Sequence, residues 1–402
     1  MIWHFLHIID ITLWLLMAAS TAYILFFALV STLWKKRVSR LTTYLTGQVL
    51  AMRKKDFYSY LILYPAYNED RVIVNSVQKF LAQYYPYSCF HVAVISDHMQ
   101  PETNQKLNEL PITLLQPVFE KSSKAKAMQF AMDKIKDDYD FIVILDADNV
   151  VESHFLEQLN EECAKGYKAI QCHRCAKNSD SDVAVLDGVS EEINNTIFRK
   201  AHNRIGLSSA LIGSGMCFDF QWFKENVYKL TTAGEDRELE ALLLQQKVYI
   251  QYEPDIHVFD EKVSNKDNFQ KQRLRWMTAQ IQSLFRLLPY IPKAIITFNL
   301  DYIDKTIQQA LIPRSMLVVG ALGMSLFMTI FSLLFSLSWY IKWWCLFLAV
   351  CIALYIATPK QLRKHSVFGK ILSLPKLVWK MAMNILKIDR KNTDFIHTSH
   401  NK

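Results

Sequence analysis

The chain predicts an α/β protein held in a membrane, with a mostly parallel sheet in the middle, one apolar helix before it and two after it. Three observations carry this. Apolar runs of strand length alternate with helical stretches through the central part of the sequence, the pattern of a sheet covered by helices on its faces. Three longer apolar runs, one near the start and two near the end, have the length needed to cross a bilayer core of about 30 Å. Acidic residues stand directly after the strand-like runs, where open α/β sheets bind their ligands.

Residues 8–34 carry Asp10 as their only charge. No basic segment precedes them and no small-residue cleavage site follows, so a retained span is expected rather than a cleaved leader. Lys35, Lys36, Arg37 and Arg40, then Arg53, Lys54 and Lys55, come next, whereas residues 1–34 hold no Lys or Arg. The positive-inside rule therefore expects the N-terminus outside and the following chain in the cytoplasm.

Strands are expected over 60–64, 91–96, 112–116 and 141–145, with helices over 71–84 and 123–137 between them. Pro65, Asp97 and Asp146 each follow such a strand, so motifs far apart in sequence should meet at one sheet edge. Two further spans fit 315–337 and 340–357, flanked by Arg314 on one side and Lys360, Arg363 and Lys364 on the other. Both flanks agree with the first assignment. From Val367 to Ile388 apolar and basic residues mix, as on a helix lying at a membrane surface. The expected divisions are 1–37, 56–288, an interfacial segment 289–313, the helix pair 314–358 and a basic tail 359–402.

The 402 residues are 51% hydrophobic, with mean hydropathy +0.06 and net charge +8. The positive charge sits beside the apolar segments and forms no stripe interleaved with exposed aromatics. It therefore points to an anionic membrane face and away from nucleic acid. Seven cysteines are scattered through the chain. Cys172 and Cys175 have zinc-like spacing but no second pair, so reduced structural thiols are expected.

The chemistry-bearing residues come in a fixed order: Pro65-Ala66-Tyr67-Asn68-Glu69, Asp97, Asp146-Ala147-Asp148, Gly234-Glu235-Asp236 and Gln272-Arg273-Leu274-Arg275-Trp276. Paired carboxylates at a strand exit suit a divalent metal that neutralises a diphosphate. In this order the motifs resemble those of the membrane-bound inverting glycosyltransferases of the cellulose synthase-like group, which includes cellulose, chitin, hyaluronan and poly-N-acetylglucosamine synthases. The resemblance covers roughly residues 58–288 and implies a GT-A nucleotide-sugar domain.

It also implies roles. Ala66, Tyr67 and Glu69 would hold the nucleoside, Asp97 the uracil ring, and Lys124 the nucleotide from a helix start. Asp146 and Asp148 would bind Mg²⁺ or Mn²⁺, with Asp146 also touching substrate. Gly213-Ser214-Gly215 would face the acceptor. Asp236 would be the general base beside Glu235, with Gly234 standing where the family usually has Thr. Arg275 would clamp the diphosphate, Trp276 would stack on the acceptor sugar, and Gln272 would bind substrate beside them. Partners implied are a UDP-sugar donor, a glycan or lipid-linked acceptor and membrane lipid. The implied place is a bacterial inner membrane, with the catalytic domain in the cytoplasm.

Each motif also has an ordinary structural explanation. Asn68-Glu69-Asp70 and Glu235-Asp236 suit helix starts, Lys124 a solvated helix end, and Trp276 a core helix. Two functions compete with polymer or membrane-linked glycan synthesis. One is a single transfer to a lipid, of the ceramide or polyprenyl phosphate type, because ceramide glucosyltransferases share this size and motif order. The other is an inactive nucleotide-sugar or cyclic-dinucleotide receptor, against which Asp148, Asp236 and Arg275 argue.

Overall fold

The computed structural model describes residues 2–34, 55–232, 234–263, 266–335 and 339–363. Residues 35–54 with their basic cluster, the turn near 338 and the tail from 364 onward lie outside the described residues. Helix α1 (Ile2–Leu33) leads, and β1 (Tyr60–Tyr67), α2 (Ile73–Leu81), β2 (Phe90–Asp97), α3 (Pro101–Asn108) and β3 (Thr113–Leu115) follow. Then come α4 (Lys124–Lys134), β4 (Phe141–Ile144), β5 (Val150–Val151), α5 (Phe155–Cys163), β6 (Ala169–Ala176) and α6 (Asp182–Asn194). The series ends with β7 (Met216–Asp219), α7 (Phe220–Asn226), α8 (Glu235–Gln245), β8 (Ile250–Asp260), α9 (Lys266–Leu287), α10 (Leu300–Ala310), α11 (Arg314–Phe335) and α12 (Tyr340–Ala357).

The eight strands form one sheet in the order β3-β2-β1-β4-β7-β6-β8-β5. The first four are parallel to one another. Strand β7 runs antiparallel to both β4 and β6, while β6 and β8 are again parallel. The expected strands are all present. Leu61, Leu63, Ile142 and Ile144 pack on one face, and Ile62, Tyr64 and Val143 on the other. A strand alternates its side chains between faces, so a run buried on both sides has no polar positions.

Helices α1, α11 and α12 are long and apolar enough to cross a membrane. Ile24, Phe27 and Ala28 of α1 pack with Leu317, Val350 and Ala353 of the other two and with Val189 and Ile193 of α6. The three long helices therefore pack against α6, which follows β6 of the sheet. Asp10, the lone charge of α1, is 2% exposed and pairs with Lys342 of α12. It also accepts a 2.8 Å bond from Trp343 Nε1. A charge inside a span is expensive unless paired, and this pair fixes the register of α1 against α12. Between α9 and α11, the side chains of Ile295, Ile296, Phe298 and Leu300 are exposed.

Candidate active site

Parallel register brings the first motifs together. Tyr67 pairs with Asp97 across β1 and β2, and Leu63 with Ile144 across β1 and β4. The strand ends carrying Ala66-Tyr67, Asp97 and Asp146 are thus neighbours. A cavity of about 1140 Å³ opens above them, lined by Ala66, Tyr67, Glu69, Asp97, Lys124, Asp146 and Asp148. Glu235, Asp236, Gln272, Arg275 and Trp276 line the same cavity. These twelve residues, far apart in sequence, therefore line one cavity.

Asp97 is 3% exposed and shares a 2.6 Å hydrogen bond with His98 Nδ1. Lys124 opens α4 just after Ser123, whose hydroxyl caps the helix by accepting from Lys126 N at 3.2 Å. The Lys124 side chain turns into the cavity and does not remain solvated. Its Nζ bonds Asp146 and, at 2.7 Å, the Gly213 carbonyl, and lies 3.8 Å from Glu235. Burial favours the neutral amine, but Asp146 and then Glu235 outweigh it and raise the pKa.

Glu235 starts α8 and is 8% exposed. Burial pushes its carboxyl up to about 7 despite Lys124, with Asp236 adding to the rise. Asp236 accepts from the Arg237 amide at 2.8 Å. The loop before β7 runs beside it. Gly213 and Gly215 have φ of +83° and +63°, a backbone region where side chains are strained. A Cβ at Gly215 would also come 2.9 Å from Val258 Cγ2.

Asp148 is 4% exposed and accepts from Asn149 Nδ2 at 3.1 Å and the Glu261 amide at 2.9 Å. Among the described residues no three metal-capable side chains gather. A carboxylate offers about four lone-pair sites, and Mg²⁺ binds through one or two carboxylates plus substrate phosphate and water. The donor set fits such a partial site, completed by a diphosphate.

Sequence reasoning missed the charged layer beneath the paired aspartates. Arg174 forks onto Glu191 at 3.0 and 3.1 Å and lies 4.0 Å from Asp146. Lys262 bonds Glu191 as well, and Asp260 at 2.7 Å. Burial alone would raise the Glu191 carboxyl, yet Arg174 and then Lys262 hold it well below the usual carboxylate range. Arg174 lies within the stretch considered for zinc, and its strand context was the signal overlooked. Cys172 and Cys175 are free thiols three positions apart on β6, so the strand turns them to opposite faces.

Arg275 and Trp276 sit on α9. The Arg273 guanidinium stacks over Trp276 at 4.7 Å and over Phe269 at 4.8 Å. The cavity continues past them between the apolar helices, where Ile24, Val318, Leu322, Leu326, Phe347 and Leu354 form its wall.

Acidic residues at adjoining strand exits thus line one deep cavity. The chain belongs to glycosyltransferase like family 2, whose model matches residues 59–279. It is a glycosyltransferase that uses a nucleotide sugar. No curated protein matches it. Among solved structures it is similar to the mannosyltransferase PcManGT from Pyrobaculum calidifontis in complex with GDP-Man and Mn²⁺, with 14% identity and TM-score 0.46 over 84% of this chain and 98% of that one. It is also similar to S. aureus TarS 1-349 in complex with UDP-GlcNAc, with 13% identity and TM-score 0.41 over 81% and 92%. A third is glucosyl-3-phosphoglycerate synthase from Mycobacterium tuberculosis in complex with Mn²⁺, UDP and phosphoglyceric acid, with 14% identity and TM-score 0.37 over 52% and 72%.

Proposed function

We propose that this chain transfers a sugar, with inversion, from a UDP-sugar to an acceptor carried by the membrane. The observation that carries the reading is the single cavity whose walls include both the acidic strand exits and the apolar faces of α1, α11 and α12. A donor at one end and a membrane-held acceptor at the other would meet at Asp236. That wall also favours single transfer to a lipid over extrusion of a polymer, because a hydroxyl-rich glycan has no partners along apolar side chains.

In this reading Asp236 is the general base. Its carboxylate takes the proton of the acceptor hydroxyl as the oxygen attacks the anomeric carbon, and the bond to the diphosphate breaks on the opposite face. The leaving diphosphate departs with the bonding electrons. Lys124 and Arg275 compensate the charge that grows on it. Asp97, with Ala66, Tyr67 and Glu69, holds the nucleoside. Trp276 and Gln272 border the acceptor. Asp146 and Asp148 would hold Mg²⁺ or Mn²⁺, which supplies Lewis-acid stabilisation of the departing diphosphate.

The cytoplasmic side is assigned to the sheet domain on the Lys/Arg asymmetry around the three spans. The exposed Ile295, Ile296, Phe298 and Leu300 would then rest in the interfacial layer. Cysteine labelling from outside intact cells should mark only residue 1 and the turn near 338. Labelling within the sheet domain would reverse the orientation.

The reading is tested by incubating the detergent-purified chain with a panel of UDP-sugars and extracted membrane lipid, and weighing the products by mass spectrometry. One added sugar on a lipid, lost with EDTA and restored by Mg²⁺ or Mn²⁺, is expected. A long soluble polymer would favour the synthase reading. Full activity in EDTA would remove the metal from the account.

A further inference from the structure

Arg314 stands where the polar half of the cavity gives way to the apolar half. It is the first residue of α11 and lines the cavity. Its Nη2 donates to the Ser190 carbonyl and hydroxyl, each at 3.1 Å. Its Nη1 is closed off from solvent and has no partner. Among the described residues no carboxylate comes within ion-pair distance of it.

The neighbouring charges do not supply one. Asp187 is held by Arg273, and Glu191 by Arg174 and Lys262. The charges that act most on Arg314 are the guanidinium groups of Arg273 and Arg199, which add to the positive field. Arg273 also lines the cavity and has an Nε with no partner. A shielded guanidinium without a counter-ion is costly unless a ligand supplies the negative charge. The adjoining wall of Val318, Leu322 and Leu326 on α11 and Phe347 and Leu354 on α12 suits a hydrocarbon chain and no soluble anion.

We propose that Arg314, assisted by Arg273, binds the phosphate group of the acceptor lipid, whose hydrocarbon chain lies between α11 and α12. This rests on the reading of the chain as a membrane glycosyltransferase and narrows its acceptor to a phosphate-bearing lipid. Arg314 and Arg273 both line the cavity, so a phosphate seated there would take charge-assisted hydrogen bonds from the two guanidinium groups while Arg314 Nη2 stays on Ser190. Such a contact would hold the headgroup at a fixed depth, with its hydroxyl toward Asp236.

The probe is dodecyl phosphate, titrated against the detergent-purified full chain and followed by thermal shift, beside dodecanol and inorganic phosphate. Wild type should bind dodecyl phosphate saturably and dodecanol more weakly, with inorganic phosphate producing no shift. Arg314→Gln should weaken dodecyl phosphate about tenfold or more, the worth of one charged hydrogen bond. Arg314→Lys should restore part of it. Calorimetric UDP affinity, unchanged in both variants, reports that the fold is intact.

Equal affinity of wild type and Arg314→Gln for dodecyl phosphate overturns the proposal. So does a fall in UDP affinity in Arg314→Gln that Arg314→Lys restores, because the subsite would then belong to the nucleotide diphosphate. Full-rate transfer to a neutral lipid by Arg314→Gln refutes the phosphate subsite and leaves membrane glycosyl transfer standing. Specific dodecyl phosphate binding without turnover of any UDP-sugar upholds the subsite and removes the UDP-sugar donor of the proposed function instead.

Discussion

The two ends of the cavity treat charge in opposite ways. At the strand exits, two buried cations face carboxylates: Lys124 lies between Asp146 and Glu235, and Arg174 forks onto Glu191. Between the long apolar helices the walls are apolar, and Arg314 has a shielded Nη1 with no partner. Compensated charges hold a shape without a ligand, whereas an uncompensated one waits for a ligand. Under the proposed function the strand-exit end is a preorganised frame, and the apolar end is completed by the acceptor that enters it.

The largest expected effect tests the frame's chemistry. Asp236→Asn keeps the side-chain size and removes the proton affinity, so transfer should fall by roughly 10²–10⁴-fold while UDP binding persists. Arg275→Ala should instead lower turnover and weaken UDP together, since it removes a contact to the leaving diphosphate. Initial rates beside calorimetry of UDP separate the two. Loss of UDP binding in Asp236→Asn alone would reverse these roles.

Stability separates the two ends next. Arg174→Met leaves Glu191 buried with one cation fewer, and breaking a buried pair costs about 3–5 kcal/mol. Arg314→Gln breaks no ion pair and should cost less than about 1 kcal/mol, the size of an ordinary hydrogen bond. Unfolding temperatures of the purified variants measure both. Equal losses would erase the contrast between paired and unpaired cations.

A smaller effect appears in pH dependence. Burial raises the Glu235 carboxyl from 4.5 to about 7 in the folded chain. A raised folded-state value means the stabilising contribution is complete below the unfolded value and fades as pH rises through the folded one. Wild type should thus lose stability from this group between about pH 4.5 and 7, and Glu235→Gln should lack that slope. Unfolding temperature against pH for the pair checks it. Identical slopes would contradict the shift.

The same contrast between regions governs what could be seen in the sequence. Strands β1 to β4 are apolar runs buried on both faces, so composition alone marks them. The other half of the sheet hides. Strand β5 has two residues, and β8 contains Pro254 opposite a register shift between Cys172 and His173 of β6. A proline lacks the ladder's N–H donor and argues against a strand. Here His173 Nδ1 reaches the Pro254 carbonyl at 2.9 Å instead.

The site was legible where chemistry comes as a local motif, from Asp97 through Trp276. The layer beneath it was not, because Arg174, Glu191 and Lys262 are distant in sequence and meet only after β6, α6 and β8 assemble. Asp10 stood out as a lone charge in an apolar run, but its partner Lys342 is 332 positions away. Arg314 was visible only as a topology signal, and its lack of a partner is a property of the folded chain.

The central claim is that one cavity joins the nucleotide-sugar site to the membrane. It is tested most directly by narrowing the apolar end alone. Leu322 lines that end on α11, and Leu322→Trp would fill it at a packing cost of about 1–3 kcal/mol. Transfer to extracted membrane lipid should then fall about tenfold or more, the kinetic equivalent of that cost, through a raised KM for the lipid. UDP affinity should stay at the wild-type value. Undiminished transfer in Leu322→Trp, with lipid KM unchanged, would contradict the account.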